Sequence, residues 1–278
     1  MPSTPPAPPR LGGTALWLEA PSAPTRTGAD GVLGSAVAAV AAAERAGIGT
    51  VWVSESPVAG GTATPYEAYS LLGALATTSE RARLGVIADR GERRAPSILA
   101  KIVTGVDVIS HGRSVLGLDG DCSSPTDAER LSEALTVCRA VLVDDHPTYA
   151  GRIYSVDDAV NRPAPVQAGG VPLVVFLRGD GPGREPLLDV AARLADAVVV
   201  DGGAVVVAEA CAAVAARADA GDRPQGAAEV LGRIGSVGPV AAAVDAVADV
   251  RAAGAGGCLV GIPFPWDPRD VEAVASAW

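Results

Sequence analysis

At 278 residues the chain is long enough to bury one large core, and a single α/β barrel of about 250 residues accounts for it better than two small domains. The formal net charge of −10, with no basic stripe interleaved with aromatics, argues against nucleic acid as a partner. Hydrophobic residues make up 49%, yet no apolar run is long and charge-free enough to cross a bilayer, and the four cysteines and two histidines are too scattered for a zinc site.

Residues 1–13, MPSTPPAPPRLGG, are Pro-rich and lack an apolar signal core. They read as an extended or disordered tail, and residues 14–278 as one domain acting in the cytoplasm. From residue 14 a strand-then-helix rhythm begins. The first strand is Thr14–Leu18, and its helix runs from about Leu33 to Ala46, closed by Gly47 as a C-cap. The second strand is Thr50–Val53, followed by a Gly-rich loop and a helix from Pro65, a favoured first helical residue. The third strand is Arg83–Ala88, with a helix from Pro96 to Ser110. The fourth is Ser114–Leu118, with a helix from about Pro125 to Val143.

Residues 144–171 break the rhythm with a Pro-rich, polar excursion before the fifth strand, Pro172–Leu177. A helix near Glu185–Leu194, a strand Ala197–Asp201 and a helix near Val205–Ala218 follow. Strand Glu229–Ile234, helix Val240–Ala253, strand Cys258–Ile262 and a final helix from Asp267 complete the chain. Eight such units are what a closed (β/α)₈ TIM barrel requires. A doubly wound open sheet is the alternative, against which no G-x-G-x-x-G follows the first strand.

Several phrases in this order resemble one family. AERAGIGTVWVSE (residues 43–55) ends the first helix and enters the second strand. ALATTSERARLGV (residues 74–86) leads into the third. PSILAKIVTGVDVISHGRSVLGL (residues 96–118) covers a whole helix and strand, and YAGRIY, RPAPVQ and LADA recur downstream. Together these resemble the luciferase-like flavin or deazaflavin oxidoreductases. The resemblance implies a (β/α)₈ barrel, often a homodimer, binding FMN or coenzyme F-420 at the C-terminal mouth for hydride transfer or oxygen activation on a small organic substrate. The apolar second helix, residues 68–76, is the expected dimer face. Lys101 is the only lysine, a GC-rich coding bias that, with the arginine loop below, tips the cofactor toward F-420.

Topology alone places the site at the C-terminal strand ends. After strand three, Arg93 and Arg94 close an Arg-rich loop suited to gripping a phosphate or polyanionic tail; internal pairing with Asp89 and Glu92 is the plainer reading. The resemblance adds Ile87 and Ala88 as backbone contacts to a flavin ring. After strand five, Arg178, Gly179, Gly181 and Gly183 form a Gly-rich loop before a helix, where N–H groups can approach an anion; a plain turn is equally in keeping with Gly and Pro here. After strand four, relatives carry Gly-x-Gly-Ala-Gly where this chain has Gly117-Leu118-Asp119-Gly120-Asp121. Gly117 and Gly120 are cofactor-contact candidates, and Asp119 and Asp121 are acid/base candidates. Glu55, at the end of strand two, is a third; Ser56 and Ala95 stand where relatives carry histidine.

His111 sits in a helix-end turn, so no Ser-His-Asp triad assembles. No metal is expected. The departures at Ser56, Ala95, Asp119, Asp121 and Asp180 keep a second reading open: a cofactor-free family member serving as a binding or structural subunit, or a carboxylate-based enzyme.

Overall fold

The computed structural model describes residues 11–19, 29–54, 67–88, 94–124, 126–219, 228–235 and 240–276. Eight parallel strands close into a barrel: β1 (Gly13–Leu18), β2 (Thr50–Ser54), β3 (Arg83–Ala88), β4 (Ser114–Asp121), β7 (Leu173–Arg178), β8 (Ala197–Asp201), β9 (Glu229–Ile234) and β10 (Gly257–Ile262). The circuit closes where β1 pairs with β10 from Gly13↔Gly257 to Leu18↔Ile262. Helices α1 (Ala29–Arg45), α2 (Ala68–Thr78), α3 (Pro96–Ile109), α4 (Asp127–Val143), α5 (Arg184–Leu194), α6 (Ala204–Asp219), α7 (Val240–Ala252) and α8 (Pro268–Ala275) alternate with the strands. The (β/α)₈ expectation holds, with β3, β8 and β9 at the expected bounds.

Two cores follow from the period-2 alternation of strand side chains. One face of every strand packs outward under the helices, where Leu16, Val51, Leu84, Leu116, Val175 and Val260 are fully buried. The other faces inward, where Trp17, Trp52, Ile87, Val115, Val174, Phe176, Val199, Leu231 and Leu259 form a separate cluster that fills the barrel. The Trp52 and Phe176 rings meet edge-on, with centroids 4.9 Å apart at 75°. Small inward residues make their room: a Cβ on Gly85 would lie 2.3 Å from the Trp52 ring, and one on Gly117 2.5 Å from Phe176.

Residues 144–172 carry a two-residue-per-strand antiparallel ribbon, β5 (Tyr149–Ala150) with β6 (Ser155–Val156). Buried carboxylates tether this excursion. The Glu133 carboxylate of α4 accepts the N–H groups of Arg152, Ile153 and Tyr154 at 2.8–2.9 Å. Asp107 of α3 accepts those of Val166 and Gln167. Asn161 donates to the Thr104 hydroxyl and the Val141 carbonyl. Most of α2 is buried in its own barrel, including Leu71, Leu72, Leu75 and Ala76. Among the described residues no helix is long and apolar enough to cross a membrane.

Candidate functional site

Following the inward-facing positions up each strand leads from apolar filling to charge. On β4 the series runs Val115, Gly117, Asp119; on β7 Val174, Phe176, Arg178; on β8 Ala197, Val199, Asp201; on β9 Leu231, Arg233. On β1 to β3 it ends instead on Trp17, Ser54 and Ile87. The C-terminal mouth is therefore split, one half charged and the other aromatic and small.

The charges of the first half are ordered. Asp119 is almost wholly buried, and it accepts from Arg178 Nε at 2.5 Å and from Arg178 Nη2 in a bidentate pair. Burial alone would lower the Arg178 pKa. The bond to Asp119, and the charges of Asp119, Asp121 and Asp201, raise it instead, so the guanidinium is a fixed cation. Arg233 Nη1 donates to Asp201 at 3.1 Å, and its guanidinium stands 4.3 Å over the Trp17 ring. Asp119, Arg178, Asp201 and Arg233 thus alternate in sign across four neighbouring strands. Burial of the Asp119 carboxylate alone would be costly, and its pairing with Arg178 offsets that cost.

Each residue singled out in the sequence has a definite place. Ile87 faces the barrel interior, whereas Ala88 and Gly120 face the helices. Gly117 lies inward under Phe176 and Trp52. Asp121 is half-buried at the end of β4, its Oδ1 accepting the Ser123 N–H at 3.0 Å. Arg94 stands before α3, bonded to Glu67 at 3.2 Å and 5.4 Å over the Tyr69 ring. Glu55 and Arg93 lie outside the described residues.

In the β7–α5 loop, Gly179 has φ +73° with open space where a Cβ would be. Gly181 and Gly183 are packed: a Cβ on either would lie 2.4 Å from the carbonyl oxygen of Cys122 or Ser124, and the Gly183 N–H already donates to Cys122. Asp180 pairs with Arg184 at 3.3 Å. His111 occupies the turn after α3 with φ 56°, and exposed His146 bonds Asp158 at 2.8 Å. Among the described residues no three His, Cys, Asp or Glu side chains gather as a metal site.

Three features were not read from the sequence. Asp201 and Arg233 line a cleft of about 250 Å³ between the start of α6, β9 and α7, walled by Ala204, Ile234, Ala246 and Val250. The Trp17 indole N–H is buried and has no hydrogen-bond partner among the described residues. Beside β1, Trp266 takes φ 53°, donates its indole N–H to the Glu19 carbonyl at 2.9 Å and meets Phe264 edge-on at 5.1 Å. A bulky residue in the left-handed region stores strain, a condition that clusters at ligand sites. The signal for Asp201 and Arg233 was present: each is two residues beyond an apolar inward position.

The family model of luciferase-like monooxygenases matches residues 15–255. The chain belongs to the luciferase-like monooxygenase family. Solved members of similar shape include an F-420-dependent secondary alcohol dehydrogenase in complex with an F-420–acetone adduct, with TM-score 0.77, 14% identity, and 97% of this chain and 98% of that one covered. The F-420-dependent tetrahydromethanopterin reductase of Methanopyrus kandleri gives TM-score 0.72 at 16% identity, covering 96% and 98%. The FMN-bound oxygenating constituent of 3,6-diketocamphane monooxygenase from a plasmid of Pseudomonas putida gives 0.70 at 12%, also covering 96% and 98%. At these identities the likeness concerns the fold, and this luciferase-like barrel keeps the family's architecture along nearly its whole length.

Proposed function

We propose that this luciferase-like protein is an oxidoreductase that holds a reduced deazaflavin, coenzyme F-420, or FMN in the C-terminal mouth and acts there on a small organic substrate. The observation that carries the reading is the Asp119–Arg178 pair. An unbalanced carboxylate where relatives have small residues would repel an anionic cofactor; a carboxylate neutralised by a bidentate guanidinium does not. The half of the mouth formed by Trp17, Ile87 and Ser54 carries no charge and is lined by an aromatic, an aliphatic and a small side chain, which suits a conjugated ring. The orphaned Trp17 N–H fits a ring acceptor, since buried donors are rarely left without one. By these tests the residues fit the ring.

For the anionic tail, the Gly179 backbone and Arg178 are the candidate contacts on the β7–α5 loop, with Arg93 and Arg94 from the β3–α3 loop as further candidates. That arginine loop suits the polyanionic tail of F-420 better than a single phosphate. Gly181 and Gly183 support the loop by packing.

When bound, the cofactor supplies hydride or reduces oxygen. The chain's own residues bind, orient and exclude water. Trp17, Trp52 and Phe176 close the barrel beneath the site, so solvent reaches it from the mouth alone. Asp119, with both oxygens on Arg178, orients that guanidinium, while Asp121, which is half-buried, and Glu55 from the end of strand two are the proton-handling candidates. The protein acts as a cytoplasmic homodimer in this reading; light scattering at micromolar concentration checks the dimer, and a monomeric mass counts against it.

A cofactor-free reading is favoured by a different fact: Arg94, Arg178, Arg184 and Arg233 each already hold a carboxylate. Fluorescence titration with F-420 and FMN separates the two readings. Saturable micromolar binding of either supports the redox reading, and no binding of either supports the other.

A further inference from the structure

We propose that the foot of the barrel, at the N-terminal ends of the strands and opposite the mouth, holds a small monovalent anion of halide size against Arg83 and the Thr50 hydroxyl. The site stands apart from the proposed function, since neither residue belongs to the mouth.

Strand alternation places both side chains inside. Val51 and Leu84 belong to the outer core, whereas Trp52 belongs to the inner one and its ring lies over Gly85. Thr50 and Arg83, each two residues earlier on its strand, therefore face the interior beneath that ring, and the ladder sets them side by side. An arginine in this position is anomalous. Its Nη1 is out of reach of solvent, and the side chain has neither a hydrogen-bond partner nor an ion pair among the described residues. Burial pushes its pKa down, and no neighbouring carboxylate counters that. A guanidinium does not shed its proton in a protein, so the charge stays and needs a counter-charge.

The other charges at this end are spent. Glu229, the inward carboxylate of β9 on the opposite wall, accepts the Leu11 N–H at 2.7 Å and is wedged against Gly12 and Gly256. Arg113 is turned away onto the Ser79 hydroxyl and the Ala82 carbonyl. The foot thus presents donors and one unmatched positive charge. That excludes a cation, and a dianion would leave a charge of its own unmatched in the same apolar surroundings. Thr50 is 3% exposed, and its hydroxyl makes no hydrogen bond among the described residues, so it can turn to the ion. Buried Leu11, Ala15 and Trp52 limit the room, while open space remains at the foot of β1, where a Cβ on Gly13 would meet no atom within 4 Å. A spherical halide, which accepts N–H and O–H bonds from any direction, suits so confined a place better than a hydrated oxyanion. This face of a TIM barrel serves stability, so the bound ion is expected to strengthen the fold and leave the mouth alone.

The test uses the full chain. ¹⁵N-labelled protein is titrated at fixed ionic strength by replacing sodium gluconate with sodium chloride, following the Trp52 indole N–H resonance, assigned through Trp52→Phe. A saturable shift is expected, and Arg83→Met is expected to weaken the affinity about ten-fold or more, the cost of losing a charged donor. Chloride is also expected to raise the melting temperature of the wild type above its value in gluconate and to leave that of Arg83→Met unmoved. Absence of a saturable shift in the wild type overturns the site, water alone then satisfying Arg83. Equal chloride affinity in Arg83→Met also overturns it, the ion then being adventitious. Should Arg83→Met fail to fold, Thr50→Val, which keeps the shape, decides: a several-fold loss of affinity supports the site, and unchanged affinity overturns it. A failed flavin titration leaves these outcomes untouched.

Discussion

At the residue scale, the inward positions of the strands decide what the barrel can hold. Asp119 and Arg178 depend on one another: removing the guanidinium leaves a buried carboxylate without its counter-charge. Arg178→Met is expected to cost about 2 kcal/mol of stability, read as a lower urea midpoint, and to abolish flavin binding. Asp119→Asn, which keeps the shape, is expected to cost less. Gly85→Ala tests the filling beneath: a Cβ 2.3 Å from the Trp52 ring forces that ring aside, at about 1–3 kcal/mol of overpacking. A melting temperature equal to the wild type's would show that Trp52 has more room than its contacts indicate. Burial pushes the Cys138 and Cys258 thiols up to about 12, so neither is expected to alkylate at pH 8 in the native protein, whereas partly exposed Cys211 is; mass spectrometry after iodoacetamide treatment reads this directly.

At the scale of elements, carboxylates on helices anchor segments that have no ladder of their own. Glu44 of α1 accepts the N–H groups of Glu80, Arg81 and Ala82 at 2.6–2.9 Å, and Glu133 of α4 does the same for the excursion. Burial works against both charges, but the three N–H groups at each outweigh it and hold both pKa values below the usual 4.5. Asp267, which caps α8 and bonds Arg269, lies at about 2. A carboxyl depressed in the folded state contributes stability that is fully present above its unfolded pKa and is lost as pH falls through the folded value. The melting temperature is therefore expected to be level from pH 7 to about 5 and to fall from about 4.5 toward 2. Glu133→Gln should melt lower at pH 7, with the gap to wild type narrowing in acid. A gap that is constant with pH would mean that Glu133 acts through packing alone.

At the scale of the whole molecule, the architecture was legible and the site only in part. The βα rhythm and Gly-punctuated helix ends carry the barrel, because a parallel strand buried on both faces reads as a plain apolar run. β4 was cut short at Leu118 because Asp119 and Asp121 look like loop residues; they continue the strand because their pairing across from Phe176 and Arg178 stabilises charge inside a barrel. The excursion read as irregular because what orders it, Glu133 and Asp107, lies on distant helices. Asp119 and Arg178 were singled out separately and their pairing was invisible, since 59 residues separate them. Asp201 stood at a strand end that topology selects but was given no role, and Arg233 was missed although its strand was placed at the correct bounds, because single charges at strand ends resemble ordinary rim polarity.

The central claim is that neutralising Asp119 through Arg178 lets the mouth of a luciferase-like barrel accept a flavin-type ring. Titration of the wild type and Arg178→Met with F-420 and FMN, followed by cofactor fluorescence, tests it most directly. The account predicts saturable micromolar binding of one cofactor to the wild type and none to a folded Arg178→Met. Absence of binding to the wild type, or equal affinity in the variant, would contradict it.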